Sequence, residues 1–146
     1  MTARSGGFTE RERAAMKERA AELRRESERP RGGRKAAEEL DVLAKIEGMD
    51  DTDRPVAERI HAIVTATAPD LAPKLWYGQP AYARQGKVVC FFRSGTDDKE
   101  RYSTFGFTPE ANLDDSDGLW PTSFAVTGLT GAAEKAIADL VAKAVG

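Results

Sequence analysis

Between residues 9 and 67 the apolar positions recur at intervals of three and four, the spacing that gathers side chains on one face of an α-helix. Thr9 followed by Glu12 is a capping box and predicts a helix over 9–27. The apolar positions of that helix, Ala14, Ala15, Met16, Ala20, Ala21 and Leu23, are mostly small, and Glu18 and Glu22 place like charges four apart. Such a helix is expected to dock only weakly on the rest of the chain. Pro30, Gly32 and Gly33 disfavour regular structure, so a hinge is expected over 27–33, with the domain boundary there. A second helix is predicted over 34–48, with Ala36, Leu40, Leu43 and Ile46 facing inward and Gly48 stopping it in the left-handed conformation. Thr52 or Asp53 can cap a third, where Pro55 suits the first turn, Val56, Ile60, Ile63 and Val64 form the inward stripe, and Pro69 ends it.

Beyond Pro69 the pattern becomes extended, and ten of the eleven aromatic residues lie between Trp76 and Phe124. The aromatics therefore belong to a sheet. Short strands over 74–77 and 81–84 flank a bend at Gly78, Gln79 and Pro80, where the bond before Pro80 can be cis. Gln85 and Gly86 form a tight turn into a strand over 87–93, whose run 88–92 is apolar on both faces, as in a central strand covered on two sides. Within 101–107, Ser103, Phe105 and Phe107 share one face. Thr108 and Pro109 signal a short helical turn, and a last strand follows over 122–127. A helix capped near Thr130 closes the chain, with Ala133, Ile137, Leu140, Val141 and Ala144 expected to cover one sheet face. Helices, an antiparallel meander and a final helix make an α+β fold and argue against repeated βαβ units. The organisation read from this is a charged helical arm and hinge over 1–33 and one α+β domain over 34–146.

Charge adds an asymmetry that the net value of −2 conceals. Residues 1–35 hold eleven Lys or Arg against six Glu, whereas the remainder holds eleven basic against eighteen acidic residues. A basic arm on an acidic body is most simply a solvated, salt-bridged helix, and phosphate contact with nucleic acid is the functional alternative. One Arg31, Gly32, Gly33, Arg34 segment is similar to RNA-binding arginine and glycine repeats, with no aromatic interleaved. Cys90 is the only Cys and His61 the only His, so the chain can form neither an internal disulfide nor a tetrahedral zinc site by itself. No run approaches the roughly 18 apolar residues of a membrane span, and Met1 is followed by polar residues. These features lead to the expectation of a cytoplasmic protein without a membrane partner or an organic cofactor, of undetermined oligomeric state.

Ala68, Pro69, Asp70 and Leu71, then Trp76, Tyr77, Gly78, Gln79, Pro80, Ala81 and Tyr82, then Gly86, Lys87, Val88 and Val89 resemble the signature of the YdhG-like family, a domain family of unknown function. The resemblance runs from about Val42 to Val145 and includes Asn112, Leu113 and Asp114. Many relatives carry Met where this chain has Gln79. The resemblance implies an antiparallel sheet flanked by helices. Some relatives are described as frataxin-like intracellular iron chaperones, which implies surface carboxylates but no ligand set that maps position by position.

Three groups of residues are candidates for function. The aromatic bend, with Trp76, Tyr77, Gln79 and Tyr82 around Gly78 and Pro80, combines ring faces, an amide and a preorganised backbone, the materials of a small-molecule pocket. Its structural alternative is a corner that fills the core. Glu38, Glu39, Asp41, Glu47, Asp50, Asp51 and Asp53, with Asp114, Asp115 and Asp117, supply the oxygen ligands of hard cations, although such runs are usually solvated faces. A calcium loop aligned on Gly118 would put Leu113 and Phe124 at ligand positions, which excludes an EF-hand. His61 lacks an evident proton-transfer partner, and Cys90 within an apolar strand is expected to be inert. The leading expectation is a non-enzymatic binding domain for a small ligand or metal, with no catalytic residue assigned. The alternative is an interaction module that uses the basic arm to hold nucleic acid or protein.

Overall fold

The computed structural model describes residues 9–28 and 33–146. The capping box forms as its spacing requires: the Thr9 amide donates to Glu12 Oε1 at 2.9 Å and the Glu12 amide to Thr9 Oγ1 at 3.0 Å. Helix α1 (Glu10–Glu28) follows. Most of the hinge expected over 27–33 lies outside the described residues, with Arg31 and Gly32 of the arginine and glycine segment.

Helix α2 (Arg34–Glu47) buries Glu38, Val42 and Ile46, while Leu40 and Leu43 are 65% and 42% exposed. The expected stripe through Ala36, Leu40 and Leu43 is therefore wrong except for Ile46. The helix carries two apolar rows on different faces, and the one through Val42 and Ile46 is the row that joins the core against the strands. Gly48 stops the helix at φ −82°, in the right-handed region rather than the left-handed one. Its amide still closes on Ala44 O.

Helix α3 (Asp53–Thr67) begins beside Asp50, whose Oδ1 accepts from the amides of Thr52 and Asp53 at 3.0 and 2.8 Å. Asp50 therefore satisfies the helix start, and neither Thr52 nor Asp53 does. Those backbone bonds hold the Asp50 carboxyl below its ordinary range. Ile60, Ile63 and Val64 are buried as their spacing requires.

The sheet is an antiparallel meander in the order β1 (Ala72–Trp76), β2 (Gln79–Arg84), β3 (Lys87–Arg93), β4 (Ser103–Phe107), β5 (Ser123–Val126). Register brings Tyr82 beside Cys90, Cys90 beside Phe107, and Phe105 between Phe92 and Phe124. These residues form the face that joins Ile60, Val64 and Val141 in one core. The second face of β3 is less covered than expected: Val88 and Phe91 stay partly exposed. Phe91 is shielded by the Trp76 ring at 5.3 Å, and a Cβ on Gly106 would meet Phe91 Cζ at 2.5 Å. Helix α4 (Gly131–Val145) starts with the Ala133 amide on Thr130 Oγ1 at 3.2 Å. It buries Ile137, Val141 and Ala144 and lies chiefly beside α3, tied there by two bonds from Arg59 to Glu134.

Candidate functional site

The bend between β1 and β2 is a two-residue turn. Trp76 pairs with Gln79, leaving Tyr77 at φ 55° and Gly78 at φ 75°. Two successive positive φ values define a type I′ turn, whose twist matches that of the strands it joins. Pro80 lies inside β2, and no described peptide bond is cis, so the bend sits one to two residues earlier than the sequence suggests. A tyrosine at positive φ is sterically costly and persists only where its surroundings hold it. Here Trp76 meets the Tyr77 ring edge to face at 5.2 Å, and the Arg19 guanidinium lies 5.6 Å from its centroid.

The turn is also held by α1. Glu22, only 3% exposed, accepts from the Tyr77 amide at 3.0 Å and the Gly78 amide at 2.7 Å, and Arg19 approaches the same carboxylate at 3.4 Å. Further along α1, Glu26 pairs with Lys74 at 2.7 Å, and near its start Arg11 donates to Asp98 O and stands 3.5 Å from Glu100. The arm thus docks through polar ties, with little apolar area, and uses acids as much as bases. No sequence signal linked Glu22 to a turn 55 residues away, because the link exists only once β1 and α1 share a neighbourhood.

Between α1, the turn, the end of β3 and the last turn of α2 lies a cleft of about 500 Å³. Ligand sites commonly fall within about 300–1,000 Å³. Tyr77, Gly78, Gln79 and Pro80 form one wall, and Lys45, Met49 and Phe92 belong to the body beneath. The Lys45 ammonium has no partner among the described residues, whereas Arg93 is engaged by Asp98 at 3.3 Å. The four aromatic-bend candidates separate. Tyr77 and Gln79 line the cleft, Trp76 turns to Phe91, and Tyr82 is sealed in the core.

Tyr82 and His61 meet instead at a second place: the hydroxyl stands 3.0 Å from His61 Nδ1, and His61 Nε2 stands 3.9 Å from Glu39. The phenol and His61 Nδ1 are thus hydrogen-bonded, while Glu39 stands beyond hydrogen-bond distance. Burial lowers the His61 pKa, opposed by Glu39, and raises those of Tyr82 and of Cys90, the latter to about 12. A fully buried phenol and a thiol so raised present no nucleophile to solvent.

Asp53 anchors the loop between β3 and β4. Its carboxylate accepts from the Ser94 hydroxyl, from the Thr96 amide at 3.1 Å and from the Ser103 hydroxyl at 3.3 Å. The remaining acidic candidates do not converge: among the described residues no group of three or more His, Cys, Asp or Glu side chains stands ready to hold a metal ion. No described helix is long and apolar enough to cross a membrane.

Fold and site together define an α+β domain with a five-stranded antiparallel meander and a cleft roofed by its own N-terminal helix. No family model, no curated protein and no solved structure matches this chain.

Proposed function

We propose that this chain is a YdhG-like cytoplasmic binding domain for a small ligand, which it holds in the cleft between α1 and the β1–β2 turn. The carrying observation is the formed cleft of about 500 Å³ with the strained Tyr77 on its wall. Metal handling has less support, since the described acids do not gather. Thermal unfolding against a panel of metabolites and metal salts tests the reading, because a ligand that binds only the folded state raises its midpoint. At a hundredfold excess over the dissociation constant the gain is about 2.7 kcal/mol. One compound should give a saturable rise that Tyr77→Asn, which tolerates positive φ, reduces. A midpoint that no compound moves overturns the proposal, and a rise from iron alone transfers it to metal handling.

A second reading has one observation in its favour. The docking face of α1 carries Arg11, Glu18, Glu22 and Glu26, which leaves Arg13, Lys17 and Arg24 exposed on the opposite face, without ion-pair partners among the described residues. Such a stripe suits phosphates. Binding of duplex DNA or RNA should then fall steeply with salt and vanish in the triple Gln variant; absence of salt-sensitive binding removes this reading.

A further inference from the structure

The two tight turns of the sheet make an internal comparison. Gln85 and Gly86, at φ 53° and 82°, repeat the backbone of Tyr77 and Gly78, at φ 55° and 75°. Among the described residues no carboxylate accepts from the Gln85 or Gly86 amide, and a Cβ on Gly86 would meet nothing within 4 Å. The first presents the same pair of outward amides, yet they are filled by a buried Glu22 delivered from another element. The backbone geometry of such a turn does not by itself require a carboxylate, and the Trp76 ring holds Tyr77 from within the sheet.

We infer that the Tyr77 and Gly78 amides are a carboxylate-binding site, that Glu22 occupies it as a built-in competitor, and that the ligand of the cleft is a small carboxylic acid whose carboxylate takes those amides when α1 lifts. The inference rests on the small-ligand reading above and adds the ligand's chemical class. Successive backbone N–H groups aimed at one point are an anion receptor, and two N–H groups match the two oxygens of a carboxylate. The acids on the α1 side of the cleft, Glu12 and Glu18, leave with the helix, as does Glu22. On the body side Arg93 is balanced by Asp98, Lys45 has no ion-pair partner among the described residues, Asp97 also lines the cleft, and Glu38 and Asp41 line the small recess beside Glu22. Lifting α1 thus removes three carboxylates and exposes two amide donors of a cleft whose lining also includes Lys45. The attachment to be broken is polar and tethered, with an effective concentration in the millimolar range, so a free acid competes only when it also gains contacts in the cleft.

Chemical rescue in the full-length chain tests this. In Glu22→Ala, acetate should move the Tyr77 and Gly78 amide resonances saturably and raise the thermal midpoint, while acetamide and chloride at matched ionic strength do neither. The Gln85 and Gly86 amides should respond less. In the wild-type chain acetate, which gains no further contacts in the cleft, should give no such response at the concentrations that saturate Glu22→Ala, since Glu22 competes. Should Glu22→Ala fail to fold, Glu22→Gln keeps the shape and weakens the competitor, and the same acetate titration reads the site there. Acetate and chloride acting alike, or equal responses at the two turns, would overturn the carboxylate site and leave Glu22 a structural tie. Acetate rescue without any metabolite-induced shift in the wild-type chain would support the receptor while removing the cleft ligand, so the two failures are distinguishable.

Discussion

Asp53 shows what one buried carboxylate can organise. It sits in the first turn of α3 at 6% exposure and holds two hydroxyls and one amide of the β3–β4 region. Asp53→Ala would strand Ser94, Ser103 and the Thr96 amide without their acceptor, a loss of about 3 kcal/mol by the cost of unsatisfied buried groups. Urea unfolding should show it as a lower midpoint at unchanged slope. His61 gives the pH dependence at this scale. Its folded pKa lies below the ordinary 6.5, so below that pH the unfolded chain binds the proton more readily. The stability contributed by neutral His61 is therefore present above pH 6.5 and is lost as pH falls through the folded value. Midpoints measured on both sides of 6.5 should fall less on acidification in His61→Gln than in the wild-type chain. Equal falls would mean that other groups carry the acid sensitivity. Asp53 and His61 were visible in the sequence as an acid near a helix start and a histidine beside an apolar stripe. Their partners, Ser94, Ser103 and Tyr82, lie 21 to 50 residues away and had no local signature.

At the scale of elements, the paired turns separate backbone cost from contact cost. Ala at either Gly78 or Gly86 suffers the positive φ, about 1 kcal/mol. At Gly78 the new Cβ would also stand 2.3 Å from Glu18 Oε2, which must swing away. Gly78→Ala should therefore destabilise somewhat more than Gly86→Ala and should loosen α1, measurable as faster amide exchange within that helix. Identical exchange in the two variants would mean that α1 does not depend on the turn. Gly106→Ala acts elsewhere, displacing the Phe91 ring and with it the shield that Trp76 completes; a cost of about 1–3 kcal/mol follows from overpacking. The Gln85–Gly86 turn was legible because Gly86, which takes positive φ freely, stood with a polar neighbour between two extended runs. The Tyr77–Gly78 turn was misplaced because Pro80 punctuates more strongly than a tyrosine, while the actual corner relies on tertiary contacts to hold that tyrosine. Helix α2 was legible as a helix, but its inward face was not, since two apolar rows compete and only the strands decide between them.

For the molecule as a whole, two kinds of cohesion coexist. The body is held by a continuous apolar core in which Phe92 and Phe105 are at 1% and 0% exposure. Phe92→Ala should cost about 3–5 kcal/mol by cavity formation, read from the thermal or urea midpoint. The arm is held by carboxylates, guanidinium groups and an ammonium, and some of those pairs are open to solvent, as Arg11 and Glu100 are. Raising the salt concentration should therefore expose α1 to exchange and proteolysis while the core transition stays nearly unchanged. Loss of arm and core in one transition would mean that they unfold as a unit.

The chain's hydrophobic spacing determined by itself that the described residues form four helices around an antiparallel meander, because periods of 3.6 and 2 are local properties of neighbouring residues. It also determined the capping box at Thr9, the tight turn at Gln85 and Gly86, and the central place of β3. Tertiary structure alone decided that Glu22 fills the Tyr77 and Gly78 amides, that Trp76 and Tyr82 part company while Tyr77 and Gln79 line the cleft, and that Asp53 meets two serines. Each of these joins groups far apart in the chain, and a polar side chain shows no preference in sequence for the distant donor that folding will bring to it.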